Sequence, residues 1–131
     1  MRGRWSGATM RRVDSTVLVV DDHAGFRSVA RAVLESEGFR VVGEAADGAE
    51  ALARAEQLRP GVVLLDVQLP DIDGFAVATL LAGGAGAPDV VLVSTRPAGA
   101  YRRRLATTSA RGFLSKADLS GPALRRILGR G

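Results

Sequence analysis

Three aspartates, a serine–threonine pair and one lysine are the residues of this chain whose types could do chemistry together. Asp21 and Asp22 follow the apolar run TVLVV, and Asp66 ends GVVLLD. Ser94 and Thr95 end DVVLVST, and Lys116 ends GFLSK. Lys116 is the only lysine; the other seventeen of the 18 basic residues are arginines. Carboxylates held close together raise one another's pKa and stay ionised only beside a cation. A lysine supplies a compact, mobile charge that reaches one carboxylate or one phosphoryl oxygen, where arginine presents a broad planar fork. A hard divalent ion is the natural second cation. Mg²⁺ takes one or two carboxylates directly, keeps waters and bridges to phosphate, and Mn²⁺ serves similarly.

Whether these groups meet depends on the elements that carry them. Five short β-rich runs, at 16–22, 40–45, 61–66, 89–95 and 112–116, alternate with segments of helical spacing. Phe26, Val29, Ala30, Val33 and Leu34 repeat at i, i+3, i+4, i+7 and i+8. Ala51, Leu52, Ala55 and Leu58 do so more weakly, as do Gly74, Val77, Ala78 and Leu81. Tyr101, Leu105 and Thr108 follow, and Leu124, Ile127 and Leu128 close the chain. Gly38, Arg59-Pro60-Gly61 and the glycine-rich 83–88 stretch punctuate the helices, and Asp47 and Ser120 suit N-caps. Runs such as VLVV and VVLL are apolar at every position, as in strands buried on both sides. Repeated β/α units predict an α/β domain, a doubly wound five-stranded parallel sheet with helices on both faces. In such a sheet all strand carboxyl ends share one edge, where ligands bind. Asp21, Asp22, Asp66, Ser94, Thr95 and Lys116 all fall on that edge.

Composition narrows the remaining classes. With 131 residues, 47% hydrophobic and 24% charged, the chain reads as one globular domain. It has no cysteine, which excludes disulfides and thiolate metal sites and fits a cytoplasmic setting. No apolar run approaches the ~18–20 residues of a membrane span, and the first residues lack the apolar core of a secretory signal. The net charge of +4 resides in Arg2, Arg4, Arg11 and Arg12; the other 14 basic and 14 acidic residues cancel. Residues 1–13 therefore read as a basic flexible arm and 14–131 as the domain, with no membrane contact and no direct nucleic-acid binding expected. Met10 offers an alternative start that would shorten the arm.

The acidic pair in VLVVDDH, the stretch LLDVQLPDIDGF, the Ser-Thr pair in VVLVST and GFLSK together resemble the receiver domain of two-component response regulators, the CheY-like superfamily. The resemblance covers about residues 14–129, and its most specific part is Asp66-x-x-Leu69-Pro70-x-x-x-Gly74. It implies a flavodoxin-like fold with strand order 2-1-3-4-5. It implies that Asp66 accepts a phosphoryl group from a sensor histidine kinase or phosphotransfer protein. Asp22, Asp66 and the backbone carbonyl of Gln68 would ligate Mg²⁺, with Asp21 acting through water. Lys116 would offset phosphoryl charge. Ser94 and Phe113 would switch the face of helix 4, strand 5 and helix 5 toward a downstream partner or a phosphorylation-dependent homodimer. Such a domain is a signalling module that catalyses only its own phosphorylation and dephosphorylation. Gly74 would start helix 3 where backbones approach closely. Three positions depart from the common pattern. Ala117 stands where many members have proline in a cis peptide, so a trans bond is expected. Thr95 is bulkier than usual, and Phe113 lacks the more frequent tyrosine's hydroxyl.

Other features take plainer readings. His23, the only histidine, reads as an exposed ring beside the site, and Arg102-Arg103-Arg104 and Arg125-Arg126 as solvated charge on helices 4 and 5. Asp71-Ile72-Asp73-Gly74 mimics the DxDG signature of haloacid-dehalogenase phosphohydrolases. That enzyme needs its first aspartate at a strand end, and here Pro70 intervenes. A receiver-like binding module that is never phosphorylated is a third reading, which the complete acidic set disfavours. The N-terminal receiver portion of a DNA-binding transcriptional regulator is the remaining alternative.

Overall fold

The computed structural model describes residues 16–129. The basic arm and its Trp5 and Met10 lie outside the described residues. Five strands, β1 (Thr16–Val20), β2 (Arg40–Ala45), β3 (Val62–Asp66), β4 (Asp89–Ser94) and β5 (Gly112–Ser115), form one sheet. The order is β2-β1-β3-β4-β5 and every pairing is parallel. Five helices connect them: α1 (Ala24–Ser36), α2 (Gly48–Leu58), α3 (Gly74–Ala82), α4 (Arg102–Thr107) and α5 (Gly121–Leu128). A 3-10 turn, Ala98–Tyr101, leads into α4, and another, Lys116–Asp118, follows β5.

The strands are apolar throughout because both faces are covered. Side chains alternate between faces along each strand. Leu18, Val20, Val63, Leu65, Val90 and Leu92 pack with Ala51, Val77, Ala78 and Tyr101 on the α2–α3–α4 side. Val17, Val19, Val62, Leu64, Val91 and Val93 pack with Ala30, Leu34, Leu124 and Leu128 on the α1–α5 side. This alternation decides which way each strand-end residue faces.

The caps follow the sequence. Asp47 accepts a hydrogen bond from Glu50 N (2.8 Å), and Glu50 Oε1 accepts one from Ala46 N (2.7 Å), a reciprocal cap for α2. Ser120 accepts from Ala123 N at the start of α5. The periodicity was less reliable at individual positions. Val29 is 58% exposed on α1 and Leu58 is exposed on α2. The Tyr101–Thr108 segment is a 3-10 turn plus six helical residues, not one regular helix. No peptide bond among the described residues is cis, that before Ala117 included.

Candidate functional site

Asp21 continues the face of Val17 and Val19, Asp66 that of Val62 and Leu64, and Lys116 that of Leu114. All three therefore emerge on the α1–α5 side of the strand ends. Lys116 Nζ lies 2.6 Å from Asp21 Oδ2 and 3.5 Å from Asp66 Oδ2. Its ammonium also sits 4.7 Å from the centre of the Phe26 ring, which packs with the α1–α5 core. Asp21 and Asp66 are buried, whereas Asp22 is exposed. An open cleft of about 250 Å³ is lined by Asp22, His23, Asp66, Gln68, Thr95 and Lys116, among others.

Asp66 Oδ1 accepts a hydrogen bond from Gln68 N at 3.2 Å. Burial pushes the Asp66 carboxyl up from 3.8 to about 6, and the adjacent Asp21 charge pushes the same way. Lys116 and the Gln68 N–H pull it down without cancelling the rise. The acidic pocket is thus under-neutralised by its one lysine.

The residues fit a divalent cation. Ligand atoms of Asp21, Asp22, His23 and Asp66 lie within 4.8 Å of one another. Asp21 Oδ2 is buried with no aligned hydrogen-bond donor, its lysine contact being ionic. An oxygen-rich set carrying excess negative charge suits a hard ion. His23 is 71% exposed, yet its Nδ1 reaches Asp21 Oδ1 (3.2 Å) and Asp22 Oδ1 (3.0 Å), so it belongs to the cluster rather than standing apart.

Ser94 ends β4 beside the strand that carries Asp66, but its side chain turns the other way. It shares the face of Val90 and Leu92, opposite to that of Asp66. It is 1% exposed, its Oγ lies 2.8 Å from Tyr101 OH, and it accepts from Arg96 N at 3.0 Å. Phe113 is half-buried, with its ring 5.9 Å from that of Tyr101. Thr95, exposed, lines the cleft instead.

Several working residues were not foreseen. Arg27 NH1 donates to the Asp21 carbonyl (2.6 Å), and its Nε donates to Glu44 (3.0 Å), bracing the acidic loop from α1. Burial raises the Glu44 carboxyl, but hydrogen bonds from Arg31 and Arg27 outweigh it and the net shift is downward. Asp71 accepts from Gly48 N (2.7 Å) and Ala49 N (2.9 Å), tying the β3–α3 loop to the N-terminus of α2; these bonds lower its pKa. Asp73 caps α3 through Phe75 N. Neither Asp71 nor Asp73 stands at a strand end, where the phosphohydrolase signature requires its first aspartate. The arginine runs are only partly solvated charge. Arg104 pairs with Asp73 (2.8 Å) and covers the Phe75 ring, and Arg125 pairs with Glu37 and covers Phe39.

Gly74 is required by the site's own backbone. A Cβ there would collide with the Asp66 carbonyl and meet Val67 Cα at 2.8 Å, while Gly74 N donates to Val67 O. Helix α3 therefore starts directly against the strand end that carries Asp66.

Among known proteins, the family described as "Response regulator receiver domain" matches residues 17–125. The chain is 51% identical over 80 residues to protein-glutamate methylesterase/protein-glutamine glutaminase 5 of Myxococcus xanthus, covering 60% of this chain and 23% of that protein. It is 39% identical over 101 residues to the virulence factors putative positive transcription regulator BvgA of Bordetella pertussis, covering 76% and 48%. The chain thus spans between about a quarter and a half of the curated relatives' length. Among solved structures it resembles the signal receiver domain of the putative response regulator NarL from Mycobacterium tuberculosis, with TM-score 0.75, 36% identity and coverage of 88% and 97%. The response regulator domain of Thermotoga maritima CheB is similar at TM-score 0.75 and 28% identity, with coverage of 88% and 94%. The matched stretch takes in every strand and the whole acidic edge, and this chain belongs to the receiver-domain family of two-component response regulators.

Proposed function

We propose that Asp66 accepts a phosphoryl group from a histidine kinase or phosphotransfer protein. The observation that supports this most is the ammonium of Lys116, from the end of β5, set between Asp21 and Asp66 at the ends of the adjacent strands β1 and β3. An Asp66 carboxylate oxygen attacks phosphorus, the bond from phosphorus to the donor's imidazole breaks, and an acyl phosphate forms. The donor imidazole keeps the electron pair and takes up a proton. Lys116 stabilises charge on the transferring oxygens, and Gln68 N–H orients the carboxylate. Asp22, Asp66 and the Gln68 carbonyl would hold Mg²⁺, with Asp21 acting through water; Mn²⁺ would serve as well. The ion would supply charge neutralisation at the phosphoryl oxygens when bound. The cleft opens to solvent beside Thr95, which is consistent with access for a donor side chain.

Added charge at Asp66 draws Ser94 and shifts Phe113, changing the population of conformers on the α4–β5–α5 face. That face then binds a protein partner or a second copy of the chain. The relatives named as transcriptional regulators favour a second arrangement, in which this receiver precedes a DNA-binding segment. In either arrangement the receiver acts in the cytoplasm as a switch rather than as an enzyme on an external substrate. Among the described residues no helix is long and apolar enough to cross a membrane.

The test is incubation of the whole chain with a small acyl-phosphate donor and Mg²⁺. The mass should rise by one phosphoryl group, trapped at Asp66 and absent from Asp66→Asn. An unchanged wild-type mass with donor and ion in excess rejects the assignment.

A further inference from the structure

We propose that Tyr101 is the positioning residue that holds Ser94 away from the acceptor, so that phosphorylation must break the Ser94–Tyr101 hydrogen bond to recruit Ser94. The inference rests on the phosphoacceptor reading of Asp66 and adds the element through which that site reaches α4.

Ser94 and Asp66 end adjacent strands but face opposite sides of the sheet. Ser94 can reach a phosphoryl group on Asp66 only by turning its hydroxyl off the α3–α4 side and over the strand edge. In the observed conformer that hydroxyl is occupied. It lies 2.8 Å from Tyr101 OH, with Ser94 1% exposed and Tyr101 9% exposed. Leaving a buried hydroxyl without a partner is unfavourable, so Tyr101 cannot stay in place once Ser94 departs. Tyr101 ends the 3-10 turn and is the N-cap residue of α4, so displacing it displaces the start of α4.

The surroundings are arranged for a limited movement. The Tyr101 ring is tilted between Phe75 (5.8 Å) and Phe113 (5.9 Å). It also lines an open cavity of about 440 Å³ with Val67, Leu69, Ile72 and Arg104, into which the ring can shift. One turn on, Arg104 grips Asp73 and Phe75 and resists the shift. Phe113 has no hydroxyl to report the position of Ser94; Tyr101, whose ring packs against that of Phe113, brings one to it.

Beryllofluoride, a phosphoryl mimic, is titrated with Mg²⁺ present into the whole chain and followed by the amide resonances of β4 and α4. Tyr101→Phe keeps the ring packing and removes only the hydroxyl. Losing one hydrogen bond from the resting conformer alone should tighten beryllofluoride binding about five-fold. In a Ser94→Ala background the same change should have no effect. Unchanged affinity in Tyr101→Phe, or an equal shift in both backgrounds, overturns the role given to Tyr101 while leaving Asp66 as acceptor. A wild-type chain that binds no beryllofluoride, or an Asp66→Asn chain that binds it equally well, overturns both.

Discussion

Lys116 sits closer to Asp21 than to Asp66, at 2.6 Å against 3.5 Å. The lysine is therefore held chiefly by a fully buried aspartate that is not itself the proposed acceptor. Asp66 keeps only a long contact to the ammonium through Oδ2, while its Oδ1 accepts from Gln68 N.

Lys116→Ala should destabilise the metal-free protein at pH 7 by on the order of 3 kcal/mol, because it strands two buried carboxylates. The deficit should shrink at pH 5, where Asp66 can protonate instead. Lys116→Arg should recover most of the stability yet remain slow in phosphoryl uptake, since the fork cannot occupy the space between Asp21 and Asp66. Urea denaturation at the two pH values, paired with uptake rates, checks both parts. An arginine variant that phosphorylates at the wild-type rate would show that charge alone suffices.

The raised Asp66 pKa sets a pH dependence whose sign is unusual for a carboxylate. In the metal-free fold Asp66 holds its proton up to about pH 6, against an ordinary 3.8. Stability from this group is fully present below the unfolded value and is lost as pH rises through about 6. Asp66→Asn should therefore be more stable than wild type above pH 6, by on the order of 2 kcal/mol, with the difference vanishing near pH 4. Comparing the two proteins cancels the opposite contributions of Glu44 and Asp71, whose carboxyls are lowered. Mg²⁺ at pH 7.5 should raise the wild-type melting temperature more than that of the variant. A flat difference between the two across pH 4–8 would contradict the buried, under-neutralised pocket.

The acidic edge was legible because strand ends are readable. An apolar run followed by a charge marks where a buried strand leaves the sheet, and parallel topology sends Asp21, Asp66 and Lys116 to one edge. The partners of Ser94 were not legible in the same way. Alternation from Leu92 points Ser94 away from Asp66, a signal present in the sequence. Nothing local, however, says that residues 98–101 form a 3-10 turn that brings Tyr101 beneath it. Asp71 was harder still. Its bonds to Gly48 and Ala49 join segments 22 and 23 residues apart and depend on how α2 meets the β3–α3 loop. Val29 was misplaced because a short amphipathic repeat tolerates one apolar residue on its wet side.

Gly74 and Gly84 should respond very unequally to the same substitution. A Cβ at Gly74 meets rigid backbone of Asp66 and Val67, which can yield only by moving the acceptor strand away from α3. Gly74→Ala should lose on the order of 3 kcal/mol and distort the acceptor loop. A Cβ at Gly84 meets nothing within 4 Å. Gly84→Ala should stay within about 0.5 kcal/mol of wild type. Chemical denaturation of both, with Asp66 phosphorylation as the second readout, tests whether the glycine of the LPDIDG stretch serves packing at the site.

Arg59 closes α2 in the left-handed region, at φ 48° and ψ 55°, and is the one non-glycine residue with positive φ among those described. The conformation costs a side-chain-bearing residue roughly 1–2 kcal/mol. It is enforced because Arg59 N must reach Ala55 O while Pro60 follows and turns the chain into β3. Arg59→Gly removes that strain but gains unfolded-chain entropy, which offsets part of the benefit. The net should be a stabilisation of about 0.5–1 kcal/mol, read as a higher urea midpoint with an unchanged slope. Arg59 lies at the amino-terminal end of β3, away from the acidic edge, so phosphoryl uptake at Asp66 should not change. A lower midpoint would mean that the arginine side chain contributes contacts at the end of α2 that outweigh its backbone strain.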